Sequence, residues 1–487
     1  MRSFRIALVS LLAAACGGNG SGLPPSSDFA NLCATPRAGT DDKKGSLDDE
    51  KKFLRSWTDE LYLWYREVPA VDPAASPTVE DYFSKLKTPA KTATNNPKDR
   101  FHFIIPTAVW LQESGSGVTA GYGATFAILA PTVPRKAVVA FTEPGTEGAG
   151  KLARGAQILK VDGVDLVNAT GQANVDILNG GLFPSAVGQA HTFEVLDLGA
   201  SASRTVTMTS ASITETPVQN AHVIPNTHTG YILFNSHIAT AESELINAIN
   251  TLKANGATDL VLDMRYNGGG FLDIASELAF MIAGPARTSG KTFEKLAFND
   301  KYPTRDPVTG QPLTPTPFEG TASGLDPATP RGAALPHLDL PRLFVLTSGS
   351  TCSASESVIN SLMGVDVQVI LIGGTTCGKP YGFYPQDNCG NTYFSIEFQG
   401  VNAKGFGDYA DGFIPGGGGS NPAGCRMADD FGHQLGDPAE AQLAGALAFA
   451  ASGTCPAPAA AALTEAGLRG NGQLFQPEWR MNRIVRR

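Results

Sequence analysis

Three short segments rich in glycine or serine contain the residue types that acyl transfer needs. They span residues 263–270, 348–356 and 373–380, and each one directly follows a predicted β-strand. Ligands of α/β proteins usually bind at the carboxyl ends of the strands. We therefore expect the three segments to meet at one crevice, where they would supply a serine hydroxyl, a lysine amine and backbone N–H donors.

Ser353, in the second segment, has both a structural and a catalytic interpretation. Glu356 follows it by three positions, which is the pattern of a helix capping box, and taken alone capping is the better interpretation. A hydroxyl at a helix N-terminus is also well placed for nucleophilic attack, because free N–H groups and the helix dipole stabilise negative charge there.

Lys379, in the third segment, lies at the end of a glycine-rich run. Residues 373–379 match a phosphate-binding P-loop, but Pro380 replaces the Ser or Thr that holds magnesium, so we do not expect nucleotide binding. Burial that lowered the lysine pKa from about 10.4 to about 7 or 8 would make Lys379 a general base. The structural alternative is a solvated surface lysine.

The glycine run 268–270 in the first segment can bring backbone N–H groups to a developing oxyanion without obstruction by side chains. A tight turn explains the same glycines, and taken alone it is the better interpretation. Together, however, the three segments contain the parts of a Ser-Lys acyl-transfer site.

The elements around these segments indicate a multidomain α/β chain. Residues at helical spacing predict a helical region over 46–110, and short strands separated by Gly and Pro predict a β-rich module over 111–213. Strands alternate with helices over 214–452, as in βαβ units. The Pro- and Gly-rich stretch between Lys291 and Pro341 is expected to loop over the surface, and residues 453–487 to form a tail.

Two glycine-bearing parts of the β-rich module resemble a PDZ domain. The loop Gly121-Tyr122-Gly123-Ala124 precedes a predicted strand, and residues 143–150 precede residues 155–163. In a PDZ domain such a loop offers N–H groups to the terminal carboxylate of a peptide, which adds a strand to the sheet edge. The resemblance implies that Tyr122, Gly123 and Ala124 bind the C-terminus of a substrate. The alternative is that these glycines only form turns.

The N-terminus has the features of a bacterial export signal. Arg2 and Arg5 precede an apolar run that is too short to span a membrane, and three alanines precede Cys16 as in a lipobox. We expect a signal peptide over residues 1–15, lipid attachment at Cys16 and a tether over 16–45. The protein would then lie in the cell envelope, with membrane contact through the lipid alone. Ordinary secretory cleavage before Cys16 is the alternative.

The remaining composition limits cofactors and partners. Six further cysteines permit up to three disulfides in an exported chain, and 15 connectivities are open. No CxxC or HExxH spacing occurs, so neither a metal nor another cofactor is expected. The net charge of −9 without a basic patch argues against nucleic-acid partners. The six cysteines are Cys33, Cys352, Cys377, Cys389, Cys425 and Cys455.

Taken in order, the three segments resemble the C-terminal processing peptidases, also called tail-specific proteases. The resemblance rests on residues 263–270, on the SASE helix start at Ser353 and on the CGK run that ends at Lys379. The family combines a helical N-terminal part, a PDZ domain and an α/β protease core of the ClpP/crotonase-like type, which would cover about residues 46–450. It implies a serine endopeptidase that acts on unfolded or C-terminally recognised polypeptides.

Carried over residue by residue, the resemblance implies roles for four residues. Ser353 would be the nucleophile and Lys379 the general base, while the N–H groups of Gly269 and Ala354 would form the oxyanion hole. The interval of 26 positions between Ser353 and Lys379 is one longer than is usual in the family. Pairing of the cysteines at 352 and 377 would brace the loops that carry this dyad, but the sequence leaves the pairing open.

A second departure leaves other functions open. Phe383 stands where the family has a glutamine, and Gln386 is expected to orient the lysine amine in its place. The missing glutamine is also compatible with a PDZ-containing binding protein that keeps the fold without catalysis. His237, which follows a predicted strand, leaves open a Ser-His variant of the peptidase.

Overall fold

The structure is a computed structural model that describes residues 22–116, 118–456, 473–475 and 483–485. The predicted signal peptide and the predicted lipidation site Cys16 lie outside these ranges and stay predictions. The described chain is a mixed α/β protein with several β-sheets. None of its described helices combines the length and the apolar character that crossing a bilayer requires.

The predicted helical region contains two helices, α1 and α2, that pack through aromatic side chains. Helix α1 begins after Ser46, whose hydroxyl accepts a hydrogen bond from the N–H of Asp49, and it buries Phe53 and Trp57. A disulfide between Cys33, which lies in the predicted tether before α1, and Cys389 ties the residues before this region to the rest of the molecule. The elements are β1 (Leu32–Cys33), β2 (Lys43–Lys44), α1 (Leu47–Leu61), α2 (Val79–Lys85), β3 (Phe103–Pro106) and α3 (Thr107–Ser116).

The β-rich region that follows consists mainly of short strands, as the sequence predicts. Its elements are β4 (Val118–Gly121), β5 (Ala124–Ala130), β6 (Lys136–Thr142), α4 (Glu147–Lys151), β7 (Gln157–Val161), β8 (Val164–Asp165), α5 (Gln172–Leu182), β9 (Ala190–Leu196), β10 (Arg204–Thr209) and β11 (Ala211–Thr214). The antiparallel order β10-β9-β7-β6-β5 leaves β5 at the edge of this set. One face of the sheet and helix α5 share an apolar cluster that includes Phe126, Ile158 and Leu178.

The third region is built on a six-stranded sheet in the order β12-β13-β14-β18-β19-β24. Its elements are β12 (Val218–Val223), β13 (Thr229–Phe234), α6 (Ala241–Ala254), β14 (Asp259–Asp263), β15 (Gly269–Phe271), α7 (Leu272–Ala283), α8 (Pro285–Thr288), β16 (Thr292–Phe298), β17 (Thr316–Pro317), β18 (Arg342–Thr347), α9 (Ala354–Gly364), β19 (Gln368–Gly373), β20 (Tyr381–Gly382), β21 (Gln386–Asn388), β22 (Asn391–Phe394), β23 (Phe398–Val401), β24 (Ala423–Arg426) and α10 (Ala441–Ser452).

The strand order of this sheet brings the three chemically interesting segments together. Within this sheet, the strands β13, β14, β18, β19 and β24 run parallel to one another. Only β12 is antiparallel to its neighbour. Strands β14, β18 and β19 are adjacent, and residues 263–270, 348–356 and 373–380 follow their carboxyl ends. The expected convergence at one edge of the sheet is therefore present.

Both faces of the six-stranded sheet are buried, as is usual for parallel sheets. Side chains alternate along β14, so that Leu260 and Leu262 join a cluster with helices α6, α7 and α9, whereas Val261 points to the opposite face. That opposite face packs against α10 and against Ala127 and Val138 of the β-rich region. The β-rich region thus lies directly on the sheet that carries the candidate site.

One prediction about the fold was wrong. The stretch from 291 to 341 was expected to be surface loop, but its first residues form β16, which pairs with β17 and β23 and buries Phe293 and Leu296. The short strand contains two adjacent charged residues and is surrounded by Pro and Gly. The alternation of buried and exposed side chains along it was therefore too short to be recognised within this Pro- and Gly-rich stretch.

The predicted C-terminal tail contains two strands that the sequence did not indicate. After α10, a disulfide joins Cys425 to Cys455. The strand β25 (Gln473–Phe475) then pairs antiparallel with β5, and β26 (Arg483–Val485) pairs parallel with β15. The tail therefore returns to both the β-rich region and the glycine-rich segment.

Candidate active site

Ser353 lies at the start of α9, in a backbone conformation that is unusual for a residue with a side chain. Its φ is 63° and its ψ is −115°. The residue is fully buried, and Ser353 Oγ has no hydrogen-bond partner within the described parts of the chain. Strained backbone and unpaired buried hydroxyls are both costly, and such features concentrate at functional sites.

The capping interpretation of Ser353 accounts for only half of what the structure shows. Glu356 Oε2 accepts a hydrogen bond from the N–H of Ser353 at 3.0 Å, as in a capping box. The serine hydroxyl does not make the reciprocal bond. The glutamate therefore serves the helix start, while the hydroxyl stays available for other chemistry.

Lys379 is fully buried, which excludes the interpretation as a solvated surface lysine. Its Nζ lies 4.2 Å from the ring centre of Phe383 and 5.0 Å from that of Phe101. Burial disfavours the charged ammonium and holds the pKa of Lys379 well below its usual value, although the negative charges of Asp99 and Glu356 oppose this shift. A lowered pKa is the property that a lysine general base requires.

The carboxylate of Glu356 brings the serine and lysine segments together. Its Oε2 accepts from the N–H of both Ser353 and Lys379, at 3.0 and 2.8 Å, and its Oε1 accepts from the N–H of Gly378 at 2.8 Å and from the hydroxyl of Thr376 at 2.5 Å. Burial raises the pKa of Glu356, and these donors offset only part of that effect. Sequence reasoning gave Glu356 a capping role alone and missed that it also holds the lysine loop.

A disulfide between Cys352 and Cys377 closes the same two loops. Their Cα atoms are 5.1 Å apart, within the range that a disulfide requires. The sulfur atoms of these two residues and a carboxylate oxygen of Glu356 lie within 4.8 Å of one another, which is close enough for a shared metal ion. Both sulfurs belong to the disulfide, so neither is a thiolate that could bind a metal ion.

Asn267 links the glycine-rich segment to the serine loop and was not singled out from the sequence. Its carbonyl oxygen accepts from the N–H of Cys352 at 3.0 Å, and its side-chain Oδ1 accepts from the N–H of Gly269 at 2.9 Å. The N–H of Gly269, one of the two predicted oxyanion donors, is therefore engaged in this structure. It can bind an oxyanion only if that group displaces the Asn267 side chain. The other predicted donor, Ala354, is the first residue of α9.

His237, the candidate base of the Ser-His alternative, is buried beside the glycine-rich segment. Its Nδ1 lies 3.0 Å from Asn267 Oδ1, and its Nε2 has no hydrogen-bond partner among the described residues. Burial lowers the pKa of His237 to about 3. A Cβ on Gly270 would lie 2.4 Å from the carbonyl oxygen of His237, which explains why a glycine is needed there.

The residue predicted to orient the lysine amine has other contacts in the structure. The side-chain amide of Gln386 donates to the carbonyl oxygen of Asp387 at 2.8 Å. The position that was expected to hold glutamine has Phe383, whose ring packs between Lys379 and the ring of Phe394. The surroundings of the amine are thus more aromatic than the resemblance implied.

The loop predicted to bind a C-terminus faces a cavity that reaches the glycine-rich segment. The N–H of Gly148 donates to the carbonyl oxygen of Tyr122, and Gly123 has a φ of 73° that favours glycine. The cavity has a volume of about 530 Å³. It is lined on one side by residues 121–125 and on the other by Gly268, Gly269 and Ser350.

The fold and this site define the chain as an α/β protein of the protease type. The profile of Peptidase family S41 matches residues 228–383, which include Ser353 and Lys379, and that of the Peptidase S41 N-terminal domain matches residues 49–103. A solved S41 protease structure from Bacteroides fragilis superposes with a TM-score of 0.60 at 23% identity, covering 82% of this chain and 97% of that one. These matches relate two segments of the chain to peptidase family S41, and they agree with its resemblance to the C-terminal processing peptidases.

Two curated relatives agree with this assignment. A carboxyl-terminal-processing protease from Picosynechococcus is 27% identical over 270 residues, which are 55% of this chain and 56% of the relative. A protein of the same name from Synechocystis is 27% identical over 170 residues, or 34% of this chain and 38% of the relative. The chain thus matches about half of the first relative's length and less of the second.

Proposed function

We propose that this protein is a serine peptidase in which Ser353 is the nucleophile and Lys379 the general base. The observation that carries the proposal is the shared carboxylate of Glu356, which bonds the backbone N–H of both residues while the hydroxyl of Ser353 stays unpaired. The match of residues 228–383 to the profile of Peptidase family S41 supports the same reaction class.

The proposed chemistry needs a neutral lysine amine. Lys379 Nζ would take the proton from Ser353 Oγ as the oxygen attacks the carbonyl carbon of a peptide bond. The amine would then protonate the leaving nitrogen, and a water molecule would hydrolyse the acyl-enzyme by the same route in reverse. The N–H groups of Ala354 and Gly269 are the proposed donors to the oxyanion, the latter after release from Asn267.

Substitution of the two proposed catalytic residues tests this assignment. Ser353→Ala and Lys379→Met should each reduce kcat/KM for an unstructured fluorogenic peptide by at least 1000-fold, because each removes a reacting group. Lys404→Met is the matched control, since Lys404 is an exposed lysine paired with Asp366. Near-normal turnover by Lys379→Met would rule out the dyad.

A pH profile separates the lysine dyad from the Ser-His alternative. A lysine base is active only when neutral, so activity should fall as the pH drops below its pKa. His237 has a pKa of about 3 and would remain neutral down to about pH 4. Full activity at pH 5, together with its loss in His237→Gln, would favour the histidine. A wild-type chain that binds peptides but never cleaves them would favour the non-catalytic alternative.

We further infer that polypeptides are recognised through their C-termini at Tyr122, Gly123 and Ala124. The cavity that joins this loop to Gly268 and Gly269 supports the inference, because a bound chain could pass from one to the other. Gly123→Val should raise KM for peptides with a free C-terminus, since a Cβ there would lie 2.3 Å from Thr146 Oγ1. Equal KM values for free and amidated peptides in the wild type would contradict this recognition.

The domain boundaries implied by the resemblance remain part of the proposal. We assign residues 46–110 to a helical domain, 111–213 to a PDZ-like domain and 214–452 to a protease core of the ClpP/crotonase-like type. Separate apolar clusters around α1, under α5 and around the six-stranded sheet support this division. Limited proteolysis should cut near residue 215, between β11 and β12, before it cuts inside the regions on either side.

We propose that the protein is exported to the cell envelope, because its cysteines form disulfides. The six cysteines within the described residues form three bonds, Cys33–Cys389, Cys352–Cys377 and Cys425–Cys455, and such bonds persist in oxidising compartments. Lipid attachment at Cys16 remains a separate proposal. Metabolic labelling with a fatty acid should mark the wild type and not Cys16→Ser, and equal labelling of the two would contradict it.

A further inference from the structure

A segment of the chain's own tail pairs with β5, the edge strand of the β-rich sheet. Strand β25 pairs antiparallel with β5, so that Gln473 lies opposite Ile128 and Phe475 lies opposite Phe126. The tail therefore runs along β5 towards the loop at residues 122–124. This is the direction and the pairing in which an extended peptide adds a strand to a sheet edge.

The pairing at this edge is anchored by one apolar side chain. Leu474 is only 4% exposed and belongs to the apolar cluster between the β-rich sheet and the six-stranded sheet. Ala127, opposite it on β5, and Tyr266, next to the glycine-rich segment, are members of the same cluster. Leu474 also lines the cavity that joins the two regions.

A second part of the tail lies at the candidate active site. Strand β26 pairs parallel with β15, which places Arg483 opposite Gly269 and Val485 opposite Phe271. The same strand contacts β20, which begins two residues after Lys379. The backbone of β26 thus lies between the glycine-rich segment and the lysine segment.

The strands β25 and β26 are close enough in sequence for one short extended peptide to contain both of them. Eight peptide steps separate Phe475 from Arg483, and an extended chain covers about 3.3–3.6 Å per residue. The edges of β5 and β15 therefore lie within about 29 Å of each other along the path of a peptide. One polypeptide of about a dozen residues can reach both edges.

We propose that the edges of β5 and β15 form a continuous binding track for an extended polypeptide, and that the chain's own strands β25 and β26 are its resident ligand. A substrate polypeptide would pair with the same two edges and would place an apolar side chain where Leu474 lies. The tail and the substrate then compete. Occupancy of the track by the tail is independent of catalysis, whereas the competition with substrate rests on the proposed function.

A binding measurement tests occupancy without turnover. In the Ser353→Ala background, a fluorescent peptide with the sequence of residues 471–487 is titrated against the full-length chain and against a chain that ends after residue 456. The shortened chain should bind the peptide at least tenfold more tightly, because its track is empty. The same peptide carrying Leu474→Asp should bind at least tenfold more weakly to it.

A full-length variant gives the same test without removing residues. Leu474→Asp in the Ser353→Ala chain should release β25 and raise the affinity for the added peptide, whereas Leu198→Asp should not, because Leu198 is 57% exposed in the β-rich region. Equal peptide affinities for the full-length Ser353→Ala chain and for its Leu474→Asp variant would overturn the proposal.

Measurements of peptide cleavage then distinguish a failure of the binding track from a failure of the peptidase assignment. In the otherwise wild-type chain, Leu474→Asp should lower KM for an unstructured peptide by about tenfold. If no variant cleaves the peptide but the affinity difference persists, the binding track stands and the peptidase assignment fails. If cleavage occurs with the same KM in both chains and the affinities are equal, the peptidase assignment stands and the track fails.

Discussion

Two buried polar clusters adjoin the glycine-rich segment 263–270, and they satisfy their charges in different ways. In the first, Arg265 is fully buried and forms ion pairs with Asp263, Asp429 and Glu440 at 2.7 to 2.9 Å. Arg154 of the β-rich region adds a second cation at 2.6 Å from Asp429. Burial by itself raises the pKa of Asp429, but the two arginines outweigh it and lower that pKa. Every charge in this cluster has an opposite charge beside it.

The second cluster surrounds Glu356 and contains the proposed catalytic residues. The hydrogen bonds to this carboxylate come from backbone N–H groups and from the hydroxyl of Thr376, and burial raises its pKa. The hydroxyl of Ser353 has no partner among the described residues, and the pKa of Lys379 is lowered. The comparison teaches that the first cluster balances its buried charges with ion pairs, whereas the second surrounds a buried carboxylate with neutral N–H and O–H donors and holds a lysine whose pKa is lowered.

The largest expected effect is on stability, at Arg265. Arg265→Ala would leave Asp263 and Glu440 buried without their cation and Asp429 with Arg154 alone, and the free energy of unfolding should fall by about 3–5 kcal/mol. Arg342→Ala, which breaks a partly exposed pair with Asp259, should cost no more than about 1 kcal/mol. Urea denaturation of both variants measures the difference. Similar losses in the two would remove the distinction between the clusters.

Two disulfides, one beside the candidate site and one distant from it in sequence, are expected to differ in their effect on activity. Replacing Cys352 and Cys377 by serine should cost about 2–4 kcal/mol and should also reduce kcat/KM, because these residues flank Ser353 and precede Lys379. Removing the Cys33–Cys389 disulfide, which joins residues 356 positions apart, should cost at least as much stability but little activity. Thermal unfolding and peptide cleavage are measured for both double variants. Equal losses of activity would show that the first disulfide has no special relation to the site.

A third prediction concerns the carboxylate at the centre of the second cluster. Glu356→Gln replaces one acceptor oxygen by an NH₂ group that faces N–H or O–H donors, so the free energy of unfolding should fall by about 2 kcal/mol. The backbone of the lysine loop would shift against the serine loop within the limit that the Cys352–Cys377 disulfide sets, and kcat/KM should fall at least tenfold. Glu67→Gln is the control, because Glu67 is a more exposed carboxylate bonded to Lys98. A loss of stability with unchanged kcat/KM would limit Glu356 to a capping role.

Much of this arrangement could be predicted from local sequence patterns. The strands that end at Asp263, Thr347 and Gly373 are apolar runs followed by glycine or serine, and their common edge follows from the rules of parallel sheets. The family resemblance then indicated Ser353 and Lys379. These positions depend on short, strongly patterned segments and on the residues next to them.

The parts that could not be predicted depend on contacts between distant segments. Glu356 has the local pattern of a helix cap, and nothing near it in sequence indicates that it also bonds the N–H of Lys379. Asn267 precedes glycines and resembles a turn residue. Strands β25 and β26 are three residues long, and they exist only because β5 and β15 offer free edges. The position of Gln386 likewise depends on how β21 pairs with β22.

The last prediction, an effect of pH alone, concerns Glu143, a second buried carboxyl for which no ion pair is found among the described residues. Its Oε2 accepts from the N–H of Thr216 at 2.9 Å, and burial raises its pKa to about 7. The folded protein therefore retains this proton between about pH 4.5 and pH 7, where the unfolded chain has lost it, so stability should fall by about 3 kcal/mol as the pH rises through this window. Glu143→Gln should remove this dependence, whereas Glu147→Gln, at a carboxyl with a lowered pKa, should not. Urea denaturation at pH 5 and pH 8 measures it, and an unchanged slope in Glu143→Gln would show that Glu143 is already ionised in the folded protein.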